Sequence, residues 1–382
     1  MKAVLAFCSL VLVFSCSAKE EKLNLTFSIL ESIKIPLDST INPSRTTYQY
    51  ILSDSGEYLA IQNKSVHGIE IFNLETGIHQ KRIKLQKDGP NRSGEVNGFR
   101  IFSIDSLLVA SYPQKLMLFN FEGIKKAEFP VKDTQNDVNY ISSTGEIPFL
   151  FDGKKVFGAQ PFFRNFFDMT ASDLGKYSHI YLLDMEAKNA ETEWLSISNP
   201  EDSWKDGKKV AKFTWTDRGD SILVSPNNDH RIWVISKKNK ELLSLVDVKA
   251  PEVNQFHIIK GLPSGDQGII EELEADRYEL LLYDQFREVF YRFYFVGVDV
   301  NDFDIHYRDL FSNRPKIGVL VLNTDLKIIG NHLFENFQIE PWNYFVGKKG
   351  LYVSTNNANR DDFDENFLRY DIIRFEGLDY ND

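Results

Sequence analysis

Along residues 98–131 (GFRIFSIDSLLVASYPQKLMLFNFEGIKKAEFPV) apolar residues gather into four short runs, at 99–104, 107–111, 115–121 and 125–131, each rich in β-branched and aromatic side chains. Asp105-Ser106 separates the first two runs and Glu122-Gly123 the last two, and pairs of this kind close hairpins between antiparallel neighbours. The pattern predicts a four-stranded sheet with two apolar faces. A sheet this small is not stable alone and must be stacked against copies of itself.

The copies are present. Residues 48–85 carry runs at 48–52, 58–62, 68–73 and 79–85, and residues 147–197 carry IPFLF, KVFGA, HIYLLDM and EWLSI. Residues 210–248 carry KFTWT, SILVS, RIWVI and ELLSLVDV, and residues 277–334 carry runs at 277–283, 289–296, 316–322 and 327–334. The last unit has only three runs, at 342–345, 351–355 and 367–375, while residues 26–37 (TFSILESIKIPL) read as a lone strand ahead of the first unit. This bookkeeping predicts an all-β fold: a six-bladed β-propeller of four-stranded antiparallel blades, closed by the N-terminal strand completing the last blade. A seven-bladed ring with one unit misread, or two β-sandwiches, are the alternatives.

Composition agrees with a large β domain: of 382 residues, 42% are hydrophobic, and the aromatic surplus comes from 30 Phe and 16 Tyr. The net charge of −11, with no basic stripe, argues against nucleic acid as a partner. The first residues read as an export signal, with Lys2 ahead of an apolar stretch over 3–14 that is too short to span a membrane. Both cysteines fall in this region, Cys8 inside the stretch and Cys16 just after it. The remaining chain offers no cysteine for a disulfide, a nucleophile or a metal.

Val13-Phe14-Ser15-Cys16 resembles the lipobox of bacterial lipoproteins, with Val13 where the pattern prefers Leu, and Lys19-Glu20-Glu21 resembles the signal that sends Bacteroidota lipoproteins to the outer face of the outer membrane. The resemblance implies a signal peptide over 1–15, acyl chains on Cys16, a tether over 16–25 and a single propeller over 26–382. An ordinary cleaved signal with an incidental Cys16 is the plainer alternative. Lys87-Asp88-Gly89-Pro90 with Gly94-Glu95 and Gly98-Phe99, and the run from Tyr283 to Arg292 (YDQFREVFYR), are similar to segments of uncharacterised six-bladed propeller lipoproteins of Bacteroidota, NHL-like or TolB-like in type. That family brings a fold and an address, and no catalytic residues.

Loop lengths carry the functional argument. Connections between the second and third strands are long at 160–178, 297–315 and 356–366, and they emerge on the same face as the links between blades. Long loops on one rigid face are where binding usually sits. Three groups are placed there. Phe162, Phe163, Phe166 and Phe167 could stack on a sugar or anchor a partner, or fold back as a plug over the channel. Asn357, Asn359, Asp361, Asp362, Asp364 and Glu365, helped by Asp299, Asp302 and Asp304, could chelate Ca²⁺, or form a solvated acidic loop; no other cofactor is expected. Arg92, Arg164, Arg308, Arg314 and Arg360 could meet carboxylates of a glycan or partner, or pair with neighbouring acids.

Catalytic motifs are missing: the seven histidines are scattered, with no HExxH pair, GxSxG or phosphate-cradling glycine loop. The tyrosines and arginines of YDQFREVFYR read as cross-strand and cation–π pairs. The expectation is a binding module for glycan, peptide or protein on a lipid anchor. The alternatives are a lyase or hydrolase with a pore-mouth site, and an accessory subunit of an outer-membrane complex.

Overall fold

The structure, a computed structural model, describes residues 25–43, 47–132, 138, 140–160, 166–187, 192–262 and 265–380. Strand β1 (Phe27–Pro36) precedes the first blade. Blade 1 holds β2 (Tyr48–Ser53), β3 (Gly56–Asn63), β4 (Gly68–Asn73) and β5 (His79–Lys84). Blade 2 holds β6 (Glu95–Ser103), β7 (Ser106–Tyr112), β8 (Lys115–Phe119) and β9 (Lys125–Pro130). Blade 3 holds β10 (Leu150–Asp152), β11 (Lys155–Ala159), β12 (Ile180–Asp184) and β13 (Thr192–Trp194). Blade 4 holds β14 (Phe213–Arg218), β15 (Ser221–Pro226), β16 (Arg231–Ser236) and β17 (Glu241–Asp247). Blade 5 holds β18 (Arg277–Asp284), β19 (Val289–Phe295), β20 (Ile317–Leu322) and β21 (Ile328–Leu333). Blade 6 holds β22 (Tyr344–Gly347), β23 (Gly350–Ser354) and β24 (Phe367–Phe375), and β1 pairs antiparallel with β24 as its fourth strand.

The ring therefore has six four-stranded blades, closed as the strand count predicts. The first strands touch one another around the axis, β14 against β18, β18 against β22, β22 against β2 and β2 against β6. Two details differ from the sequence reading. The first turn of blade 2 is Ile104-Asp105, with Asp105 at φ 66°, because Ser103 pairs with Ser106. And β6 begins at Glu95, ahead of Gly98, whose φ of 126° lets the Ser143 carbonyl approach where a Cβ would lie only 2.0 Å from it. Any side chain at position 98 would push the link to blade 3 away.

Packing follows the two-residue period of strands. In β7, Leu107 and Val109 face Ile69 and Ile83 of blade 1, while Leu108 and Ala110 face Val156 and Tyr181 of blade 3. In β19, Tyr291, Phe293 and Phe295 face Tyr344 and Val353 of blade 6, while Phe290 and Tyr294 face Leu223 and Ile232 of blade 4. Every blade is apolar on both sides because every blade is an interior.

Arg292 breaks this rule on the blade 4 side. It is fully buried, its guanidinium lies 3.3 Å over the Tyr278 ring, and it donates to Ser225 Oγ and to the carbonyls of Asp229, His230 and Val248. Nearby, Arg287 donates to Asp284 and to the carbonyls of Gly347 and Lys348, tying blade 5 to blade 6. The structural reading of YDQFREVFYR is what the structure places there.

Two stability predictions follow from closure and from the buried arginine. Deleting residues up to Pro36 is expected to expose the β24 edge and turn a monodisperse protein into an aggregating one, checked by light scattering. Arg292→Met strands several carbonyls away from water and is expected to cost on the order of 3 kcal/mol in denaturant unfolding; an unchanged midpoint would show that the blade 4–5 seam does not depend on it.

Candidate functional site

Successive strands alternate in direction, so the inter-blade links and the loops between second and third strands share one face. At its centre the beginnings of the first strands surround a cavity of about 400 Å³ on the propeller axis. Tyr48 opens β2, Glu146 lies on the link into β10, Lys212 and Phe213 stand at the start of β14, Arg277 and Glu279 are the first and third residues of β18, and Trp342 and Asn343 lead into β22. Two helices close the rim: α2 (Gln267–Glu274), in the link between blades 4 and 5, brings Glu272, and α3 (Tyr307–Ser312), in the long loop of blade 5, brings Phe311. The short helix α1 (Ala171–Leu174) lies in the long loop of blade 3, outside the cavity.

The polar groups on the blade 5 side are locked. The Glu279 carboxylate accepts from Arg277 Nε at 2.8 Å, from Asn227 Nδ2 at 3.3 Å and from Trp342 Nε1. Arg277 also donates to Glu272 at 3.0 Å, and its guanidinium lies between the rings of Phe295 and Phe311. Arg314, fully buried, donates to the carbonyls of Glu272 and Leu273 at the C-terminal end of α2 and also stacks on Phe295 and Phe311. A cation against a helix's last carbonyls is the favourable polarity, and it fixes α2 and with it Glu272. Burial nonetheless pulls the Arg314 pKa down to about 9.

Trp342 is held in an unusual way. Its φ is 68°, a left-handed backbone that a bulky residue rarely adopts. The Tyr48 hydroxyl, 2.9 Å from the Trp342 carbonyl and 2.7 Å from that of Tyr344, accepts the Tyr344 amide at 2.9 Å. Blades 1 and 6 thus clamp the segment that presents the indole to the cavity. Strain over-determined by its surroundings is a feature of binding and catalytic sites.

Glu146 is the odd group. Its backbone carbonyl accepts from the Trp215 amide and the Thr214 hydroxyl, but its carboxyl has no hydrogen-bond donor among the described residues. Enclosure in the cavity is the first cause that raises its pKa and the Glu279 charge the second; Lys212 and Arg277 pull the other way, leaving it at about 7 instead of the ordinary 4.5. Lys212 itself is exposed, without an ion pair among the described residues. The mouth therefore holds a carboxyl poised between its two forms, a second carboxylate fixed by three donors, two cations and several aromatic faces.

Of the residues singled out from the sequence, those that are described lie around this mouth rather than in it. Phe162, Phe163, Arg164 and the side chain of Phe166 are outside the described residues; Phe167 is exposed and lines a groove running outward from the mouth. Arg308 pairs with Asp266. Arg360 takes Asp362 with both Nε and Nη2 and reaches the Gln338 carbonyl at 2.6 Å. Arg314 is the helix clamp just described. Arg92 is exposed on the link between blades 1 and 2. In the oxygen-rich run, Asn357 is buried and bonded to the Ile339 carbonyl, Asn359 closes a turn on Asn357, and Asp364 caps Asn366. Asp362 is held well below the usual carboxylate range by Arg360 and Arg369, while Asp361 and Glu365 point to solvent. On the neighbouring loop, Asp299 accepts from Asn301. These oxygens serve turns and ion pairs instead of converging, and among the described residues no three His, Cys, Asp or Glu side chains meet as a metal site.

Glu146, Lys212, Glu272, Arg277, Glu279 and Trp342 were not legible as a site, since they come from four separate stretches of the chain, at 146, 212, 272–279 and 342. The available signal was Arg277 and Glu279 alternating with Tyr278 and Leu280 in a first strand, which aims two charges at the axis.

A folded pKa above the unfolded one means that Glu146 contributes its stability below about 4.5 and loses it as pH rises through about 7. Glu146→Gln is therefore expected to leave stability nearly unchanged at pH 4 to 5 and to raise it by on the order of 1–2 kcal/mol at pH 8, after discounting for water in the mouth. Denaturant midpoints at the two pH values check this; a gain equal at both would show that the carboxyl does not titrate in the enclosed site.

A crystal structure of a DUF4221 member from Bacteroides vulgatus superposes with a TM-score of 0.81 at 22% identity, covering 93% of this chain and 99% of that one. A Bacteroides fragilis protein, provisionally named as exported, superposes with a TM-score of 0.50 at 10% identity over 94% of this chain and 96% of its own. A search of curated protein sequences found no match. Both likenesses are likenesses of fold, and residues 24–330 match the profile described as "Domain of unknown function (DUF4221)", which covers most of the chain: the protein belongs to the DUF4221 family.

Proposed function

We propose that this chain is an exported propeller, held on the cell envelope by acyl chains on Cys16, that binds a neutral glycan in its axial cavity. The observation that supports the cavity as the site is the meeting of Glu146, Lys212, Glu279 and Trp342 from four sectors of the ring in one concave space of about 400 Å³. That volume lies in the range of about 300–1,000 Å³ usual for small-ligand pockets. The chemistry supports a neutral, hydroxyl-rich ligand. Arg277 is already compensated by Glu272 and Glu279, so an anion would gain little from it and would face Glu146. An apolar ligand would strip water from these groups and return no hydrogen bonds. Sugar hydroxyls can donate to Glu146 and Glu272 and accept from Lys212, while the sugar's C–H face lies on Trp342 or Phe311.

The envelope address rests on Lys2, the apolar stretch 3–14, Cys16 and Lys19-Glu20-Glu21. Among the described residues no helix is long and apolar enough to cross a membrane. A second reading, cleavage of the bound glycan, is favoured by one feature. A carboxyl near neutral pKa beside a fixed carboxylate is the pairing that general acid catalysis uses.

The test is a panel of neutral and uronic-acid glycans, titrated calorimetrically while new reducing ends are assayed. The expected result is binding of neutral glycans that weakens by about tenfold or more in Trp342→Ala and Glu146→Ala, with new ends moving the assignment to a hydrolase. Preference for the acidic glycans, or indifference to both variants, would overturn the cavity reading. For the anchor, Cys16→Ser is expected to shift the protein from membranes to the soluble fraction, and retention would rule out lipidation as what holds it there.

A further inference from the structure

The axial cavity does not end at its rim. A small cavity bounded by Lys212, Asn227, His257 and Glu272 adjoins it, and beyond lies a groove of about 240 Å³ bounded by Phe311, His257, Ile269 and, at its far end, Phe167. Glu272 borders all three spaces, and Phe311 borders both the axial cavity and the groove. The path runs from the propeller axis over Glu272, beside α2 and out toward the loop of blade 3. We infer that the ligand, on the reading that it is a neutral glycan, is an oligosaccharide chain that enters by its end, with its terminal unit in the axial cavity and the following units laid along this groove.

The walls argue for occupancy by a chain. They are tied down: Glu272 by Arg277 and by the Arg314 clamp on α2, His257 by Glu271 at 3.2 Å, and the segment carrying Ile259 by the hydrogen bond its amide N–H donates to the Lys208 carbonyl. Lys208 in turn donates to the carbonyls of Phe167 and Met169, fixing the backbone at the far end. Aromatic faces recur along the path, Trp342 in the cavity, Phe311 at the junction and Phe167 at the exit, while Glu272 and Glu271 stand beside it as acceptors. Part of its wall is bare backbone: a Cβ added at Gly261 or Gly265 would meet nothing within 4 Å among the described residues. A stacking ring at each stage, with carboxylates between, suits successive sugar units. A peptide is the poorer fit, because the described walls are helices and links and offer no free strand edge for main-chain pairing.

The test uses ladders of β-1,4-linked gluco-, manno- and xylo-oligosaccharides from one to six units, titrated against the purified protein. For the ladder that binds, affinity is expected to rise by about tenfold from one unit to four and then level off. Gly261→Phe, which fills open space and should keep the wild-type melting temperature, and Phe167→Ala, which removes the exit face, are each expected to erase that gain while leaving single-unit affinity unchanged. An affinity independent of length, or variants that weaken single units and long chains equally, would overturn the groove while leaving the axial site standing. Failure of every unit and every length to bind would overturn both readings, and binding of unstructured peptides instead would assign the path to a peptide.

Discussion

Everything in this molecule depends on the antiparallel pairing of β1 with β24. Nine residue pairs join them, from Phe27 opposite Phe375 to Pro36 opposite Phe367, across a single bulge near Leu30. Each blade buries both faces against its neighbours, so none has an energetic reason to exist until the ring is complete. Closure seals the seam between blades 6 and 1, where Ile35 packs with Leu59, Phe72, Tyr352 and Ile372, and it does so with residues some 340 positions apart in the chain. Long-range closure of this kind costs chain entropy first and returns contacts only afterwards. The return is rigidity at the axis: once six first strands are locked in a circle, side chains from unrelated stretches hold fixed positions around one space.

That division explains what could be read from residues alone. Blades were legible because burial on both faces leaves runs such as SLLVAS and KIGVLVL, with almost no polar interruptions, between tight turns. The closing strand was legible by subtraction, since blade 6 lacked one and the N-terminus had one to spare. The helix α2 was not, because a short amphipathic stretch in a 29-residue link carries no repeat to count. The mouth was legible only as a face. Long loops pointed to the side on which the axial cavity opens, but the conspicuous residues on them, Arg308, Arg360 and Asp362, are conspicuous because they serve their own loops. Glu146, by contrast, sits in an unremarkable TGEIP and acquires its character first from enclosure at the axis and then from the charge of Glu279, which lies far along the chain.

The contrast between the two carboxyls in the cavity is the strongest argument that the mouth serves a purpose beyond holding the ring open. Glu279 is satisfied by an arginine, an amide and an indole, as a carboxylate in a folded interior should be. Glu146, a short distance away, has none of these, and its charge is disfavoured both by enclosure and by Glu279. A channel selected only for stability would replace it with a neutral residue, since no described residue donates to its carboxyl. Trp342 makes the same point in the backbone: a left-handed φ at an indole costs on the order of 1–3 kcal/mol, yet Tyr48 and Glu279 hold it there from two sides. Two costs at one place, each maintained by groups from other blades, fit the proposal that the mouth is a binding site. The rigidity that closure provides is what allows the ring to carry both without relaxing.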